Sequence, residues 1–199
     1  VTDTWGIALL VGVPSLLVPA GIAFAQPGSL VARITIATAF MVFSALLIQQ
    51  YGGAIEAHFG IFALLAFLLY YRDWRPVLVA AVVIAVHHVL FNYLQMLNQG
   101  FYVFEQGPSW ARVAVHAAYV VVEAGLIMYM AQNLKREAVE SALVSETARR
   151  VGTGDLRARQ GRGHPLLQTM ADMQSRLGAS LQRVLDEANA VAAAAHRLD

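Results

Sequence analysis

The chain has 199 residues, 58% of them hydrophobic and only 14% charged, with a net charge of +1 and no cysteine. A soluble domain of this length carries nearer a quarter charged residues. The composition therefore argues against a disulfide scaffold and a basic nucleic-acid binder, and leaves His, Met, carboxylate or backbone as the ligands for any metal. In residues 1–133 the charges are Arg33, Arg72, Arg75 and Arg112 against Asp3, Glu56, Asp73, Glu105 and Glu123, while the last third holds all the rest. That split reads as an all-α membrane protein: a polytopic transmembrane bundle over 1–133, then a charged helical tail.

Five apolar stretches, about 5–25, 30–51, 55–71, 76–96 and 109–132, each approach the roughly 20 residues that cross a bilayer as a helix, the third being short, with a start nearer Gly52 as the alternative. The breaks between them carry turn chemistry: Gln26-Pro27-Gly28-Ser29, Gly52-Gly53, Arg72-Asp73-Trp74-Arg75-Pro76 and a longer run from Asn98 to Ser109. Pro14 and Pro19 predict a kink in the first span. Arg33, Arg72, Arg75 and Lys135-Arg136 put one side in the cytoplasm, with Arg112 dissenting, and leave Tyr102, Phe104 and Trp110 as outer interface anchors. Val1 then starts outside, which predicts a further helix upstream and six spans in the intact protein.

Beyond the last span, 134–151 reads as a helix continuing it. A connector with Gly152, Gly154, Gly161, Gly163 and Pro165 follows, then a second helix from Leu166. Met170, Met173, Leu177, Leu181, Val184, Ala188, Val191, Ala195 and Leu198 form a heptad seam with an extra four-residue step at Leu177–Leu181.

The stretch Val151-Gly152-Thr153-Gly154-Asp155-Leu156-Arg157-Ala158-Arg159 resembles the segment joining the two helices of a HAMP signal-transmission module. Pro165-Leu166-Leu167, Met170, Met173-Gln174, Leu177, Val184, Ala188 and Val191–Ala195 resemble its second helix running into the coiled coil of a methyl-accepting chemotaxis protein. The first helix departs from that pattern in lacking a proline near its start. The resemblance implies a HAMP-like module over 134–185 and the start of a signalling coiled coil over 186–199. Gly154, Asp155, Leu156 and Pro165 would belong to the relay. It further implies a homodimer with a parallel four-helix bundle. It also implies a bacterial inner membrane, a cytoplasmic tail, and a chemotaxis histidine kinase with its coupling protein as partners through a hairpin beyond Asp199. More loosely, the segments around His58, Tyr70–Pro76, His87-His88 and His116 resemble the multi-span sensor regions of some such receptors.

Histidines inside spans are costly and point to function. At about 1.5 Å per helical residue, His58 lies about 5–6 Å below the outer end of its span, His116 roughly 10 Å and His87/His88 roughly 12–13 Å. His88, Asn92 and Gln95 share one polar stripe, whereas His87 aligns with Val83, Phe91 and Leu94. Arg112, His116, Tyr119 and Glu123 form another stripe, expected to face inward. His58, His88 and His116 are the candidate ligands, with Glu56, His87, Asn92, Met96, Tyr119 and Glu123 as further ligands or their supports. The chemistries left open are a copper or zinc ion, a haem b with two axial histidines, which would make a membrane b-type cytochrome the rival function, and plain interhelical hydrogen bonding or a small-molecule pocket. His164 and His196 read as solvent-facing. No nucleophile–base pair, phosphate loop or zinc-protease motif appears, so an enzyme is not expected; membrane lipid is the remaining expected partner.

Overall fold

The computed structural model describes residues 5–155 and 165–195. Leu156, the connector through His164, and His196 fall outside them. Among the described residues six helices follow one another: α1 (Trp5–Ala25), α2 (Leu30–Gln50), α3 (Ile55–Phe67), α4 (Trp74–Met96), α5 (Trp110–Gly152) and α6 (Pro165–Ala195). A 3-10 turn, Leu68–Tyr71, extends α3. No strand occurs among the described residues.

The helix ends follow from their residues. Ser29 caps α2 by accepting the Ala32 amide at 3.1 Å, and Asp73 caps α4 by accepting the Arg75 amide at 3.2 Å. Three helices end in the same left-handed device, in which the last carbonyls are taken by two amides beyond the helix. Gly52 and Gly53 close α2 through Gly53 N–H to Ile48 C=O at 2.8 Å, and Asn98 closes α4 through Gln99 N–H to Leu94 C=O at 3.2 Å. Gly154, at φ 86°, closes α5, with Asp155 N–H donating to Arg150 C=O at 3.0 Å.

Among the described residues four helices, α1, α2, α4 and α5, are long and apolar enough to cross a membrane. The third apolar stretch, read from sequence as a short span, is the shorter apolar helix Ile55–Tyr71 here. Its 13 α-helical residues rise roughly 20 Å, and the tighter 3-10 turn adds about 8 Å. α1 runs helical through both prolines, and Pro19 is its one buried residue among those described.

The chain divides into two compact units between Lys135 and Arg136. In the first, α2 is the hub against which α1, α3 and α4 pack. Ala32, Ala37, Ala39, Ser44 and Ala80 are buried there, and such small side chains let backbones approach in lipid, where dispersion replaces the hydrophobic effect. The core gathers Met41 and Ile48 from α2, Ile61 and Leu65 from α3, Val77 and Ile84 from α4, and Val120, Ala124 and Ile127 from α5. Yet the α5 backbone approaches no other helix closely over more than a residue or two. It touches the bundle through side chains.

The second unit holds the end of α5 and all of α6. Glu146 pairs with Arg149 at 3.0 Å and Arg150 at 2.8 Å on the α5 surface. Along α6 the seam residues Met173, Leu177, Leu181, Val184 and Val191 are exposed.

Candidate functional site

The first turn of α3, the C-terminal half of α4 and the N-terminal end of α5 bring three imidazoles together. Ring centres of His58 and His88 are 5.4 Å apart, those of His58 and His116 5.1 Å, and those of His88 and His116 5.6 Å. All three rings are held by the same local device. Nδ1 lies 3.0 Å from the Ala54 carbonyl in His58, 2.9 Å from the Ile84 carbonyl in His88 and 2.9 Å from the Arg112 carbonyl in His116, in each case four residues back on the same helix. A carbonyl can only accept, so each Nδ1 carries the proton and donates it, leaving Nε2 with its lone pair. Nε2 of His58 and of His88 is buried without a hydrogen-bond partner, in rings only 3% and 5% exposed. Buried acceptors left unpaired are costly and call for an explanation.

The loop between α4 and α5 covers the cluster. Phe104, 3% exposed, stacks on His58 at 6.0 Å with the rings 8° from parallel, and its centre is 5.2 Å from that of His116. Gln95 holds this residue in place: its amide donates to Phe104 C=O at 2.7 Å, and its carbonyl accepts Val103 N–H at 3.0 Å and Phe104 N–H at 3.2 Å. Asn92 accepts Ser109 N–H at 2.7 Å, and Gln49 bonds Tyr102 and Gly100 of the same loop at 2.8 and 3.0 Å. Gly53 C=O accepts Glu105 N–H at 3.1 Å. The Arg112 guanidinium sits 5.4 Å from the Phe104 ring centre and bonds Gly107 C=O at 3.1 Å. Replacing Gln95 with alanine is expected to cost about 2–3 kcal/mol, three bonds at about one each. Faster amide exchange at Val103 and Phe104, with the helices unchanged, is the measurement that checks it.

Inward from the histidines a cleft of about 310 Å³ runs between α3, α4 and α5. Its other walls are apolar, including Leu78, Val82, Ala85, Ala117, Val121 and Met128. The cleft is what separates α5 from its neighbours.

The structure sorts the sequence candidates. Of the adjacent pair, His88 joins His58 and His116, whereas His87 is buried on another side of α4, its ring 4.1 Å from Phe91 and both nitrogens unpartnered. Asn92 and Gln95 from the polar stripe hold the loop. Glu56 and Met96 are exposed and line neither cleft beside the histidines. Tyr119 is 66% exposed and lines a second cleft between α3 and α5, beside His58 and His116. The stripe it shares with Arg112 and Glu123 therefore does not face inward as one row. Glu123 is half-buried, with one carboxylate oxygen unpartnered. Phe104, read from sequence as an outer anchor, is instead the ring over the histidines. Trp110 and Tyr102 remain exposed. The signal for Phe104 lay in Gln95, a buried-face amide placed two turns after His88.

The histidine nitrogens are not drawn to a single point: among the described residues no group of three or more His, Asp or Glu is set to hold a metal ion as it stands. The triangle of ring centres is nonetheless of the right size. Imidazoles bound tetrahedrally at about 2.0–2.1 Å hold their ring centres roughly 5–5.5 Å apart.

Over 123 residues, 61% of this chain, the sequence is 28% identical to Transducer protein Htr8 of Halobacterium salinarum, and the match covers 19% of that relative. No protein-family model matches the chain. No solved structure matches it either. The chain is thus helical among the described residues, with helices long and apolar enough to cross a membrane, and distantly similar to a transducer protein.

Proposed function

We propose that the chain is the sensing and relay part of a bacterial inner-membrane signal transducer of the methyl-accepting chemotaxis type, with no enzymatic activity of its own. Its input is a copper or zinc ion held by His58, His88 and His116, and its output passes along α5 into the tail. The observation that carries this reading is the shared Nδ1 anchor, which orders three imidazoles on three helices and leaves their Nε2 atoms as bases. Metal-bound histidines are held in the same way, the second nitrogen donating to a carbonyl or carboxylate. When bound, the ion supplies a positive centre for the unpaired lone pairs.

The protein's part is to offer two fixed rings on α3 and α4 and a third on a helix that can move. Converging the three Nε2 atoms on one ion would tie α5 to α3 and α4 through His116. An input shifts an equilibrium only by its differential affinity for the two states, and this one favours the state in which α5 is so tied. That helix is continuous to Gly152, so a shift at Trp110–Glu123 reaches the tail without crossing a loop. In the tail, 134–185 would form the HAMP-like module, with Gly154, Asp155, Leu156 and Pro165 at its connector, and 186–199 would begin the signalling coiled coil. The exposed seam of α6 supports a homodimer, since a lone helix with such a stripe needs a partner. The chemotaxis histidine kinase and its coupling protein would be the partners of the signalling coiled coil, and the tail would lie in the cytoplasm.

A bis-histidine haem is less well supported. Axial imidazoles on opposite sides of an iron have centres roughly 6–6.5 Å apart with a macrocycle between them, wider than any pair here.

The test is metal binding by the chain in lipid nanodiscs after chelator stripping, by elemental analysis and calorimetry. One zinc or copper ion per chain is expected. His88→Ala and His116→Ala are each expected to weaken affinity about 100-fold or more, and His87→Ala to leave it nearly unchanged. A Soret band in protein purified without stripping, or equal metal content in wild type and His88→Ala, overturns the ion reading.

A further inference from the structure

At the other end of the first unit, where α2 and α4 begin and α5 leaves its apolar stretch, lies an open cleft of about 890 Å³. Gly28, Arg33, Tyr70, Tyr71 and Arg72 supply its polar parts, and Phe67 and Leu134 stand among its apolar walls. This rim carries three guanidiniums against one carboxylate. Asp73 is taken in two-pronged fashion by Arg75, at 3.0 and 2.9 Å, and is touched by Arg33 at 3.4 Å. Arg33 also donates twice to Gly28 C=O, at 3.1 and 2.6 Å.

Among the described residues of this rim, Arg72 is the cation left over. It ends the 3-10 turn in a left-handed conformation, φ 48°, its amide donating to Leu69 C=O at 2.9 Å. A non-glycine residue there costs energy, and such strain gathers at functional positions. Its side chain is exposed, with no hydrogen bond or ion pair among the described residues. Tyr70 and Phe67 beside it are 87% and 68% exposed.

We propose that this cleft binds the phosphodiester headgroup of an anionic membrane phospholipid, with Arg72 and Arg33 on the phosphate and an acyl chain against Phe67, Ala66 and Leu134. Charge complementarity selects the headgroup: the three guanidiniums exceed the one carboxylate by two charges, and arginine forks fit phosphate oxygens. The apolar walls select a lipid over free phosphate, to which they offer nothing. The level fits as well, because helix starts at Leu30 and Trp74 mark the zone where headgroups meet a bundle. Since Leu134 belongs to α5, whose backbone stands off from the other helices, a lipid lodged here is a packing element between α5 and the α3–α4 turn. Anionic lipid content would then bias the position of the helix that carries the signal.

The experiment is native mass spectrometry of the full chain taken from nanodiscs of phosphatidylcholine mixed with phosphatidylglycerol. Wild type is expected to retain phosphatidylglycerol selectively. Arg72→Gly relieves the left-handed strain while deleting the cation, and is expected to cut retention about fivefold, the factor for one basic residue at an anionic surface. Ala66→Trp fills the cleft without altering charge and is expected to lower retention similarly. Arg183→Gln in the tail should change nothing. Equal retention of the two lipids, unchanged retention in Arg72→Gly and Ala66→Trp, or displacement of the lipid by inorganic phosphate overturns the proposal. His88→Ala is expected to keep the lipid, so failure of the metal site and failure of this cleft are read separately.

Discussion

Replacing Gly53 with alanine is expected to lower stability by about 3 kcal/mol or more and to loosen the loop over the histidines. Gly53 sits at φ 82°, and a Cβ there would lie 2.6 Å from the backbone N and C of Phe104 and 2.8 Å from the amide of Glu105. Those atoms are main chain, fixed from the far side by Gln95, so they cannot swing aside as a flexible side chain would. Gly52, its neighbour, sits at φ 63° with open space around the missing Cβ. Gly52→Ala should therefore cost only the left-handed penalty, about 1–2 kcal/mol. Thermal unfolding of both variants in the same nanodiscs checks the difference, and amide exchange at residues 101–105 locates it. Equal losses at the two positions would mean that Phe104 does not press on Gly53. Because the same contact seats Phe104 on His58, Gly53→Ala should also weaken metal binding, whereas Gly52→Ala should not.

Asp73→Ala is expected to cost about 2–3 kcal/mol, the loss of a helix cap together with two ion pairs whose cations are partly exposed. The carboxylate is 3% exposed. Burial alone would push its pKa up, but hydrogen bonds from the Arg75 side chain and backbone, with the charges of Arg75 and Arg33, outweigh burial and hold it below the usual carboxylate range. A carboxyl whose pKa is depressed by folding stabilises the fold above its unfolded pKa, near 4. That contribution falls away as pH drops through the lower, folded value. Wild type should lose stability over that acidic interval, and Asp73→Asn should show a smaller loss there. Identical acid profiles would separate Asp73 from the clamp. The loss should appear at the α2–α4 contact, because Arg33 on α2 and Arg75 on α4 meet at this one carboxylate.

These two positions show how far local pattern carries. The helices and most of their ends are written in neighbouring residues: apolar runs of bilayer length, Ser29 and Asp73 before a helix, Gly52, Asn98 and Gly154 after one. Such signals act within a few residues of the backbone bond they satisfy, so they survive without knowledge of the rest. The shortness of α3 was also local, but the apolar run 55–71 hides a change from α to 3-10 geometry that hydropathy does not register.

The histidine cluster was legible in part. Depth along each helix follows from counting, and it brought His58, His88 and His116 to one layer. Azimuth does not follow from counting. His87 and His88 differ by about 100° around α4, and which of them meets α3 and α5 depends on how α4 rolls against α2. The buried small residues that set that roll, Ala37 and Ser44 on α2 and Ala80 on α4, lie about 40 positions apart in the chain. Phe104 and Gly53 are farther apart still, and neither residue's own surroundings disclose the other. Composition and periodicity were thus enough to state that a helical membrane bundle carries imidazoles at one depth and a seamed helix beyond it. Which rings meet, and what covers them, arises from close packing between segments distant in sequence, where a steric fit of a few tenths of an ångström has no counterpart in a one-dimensional pattern.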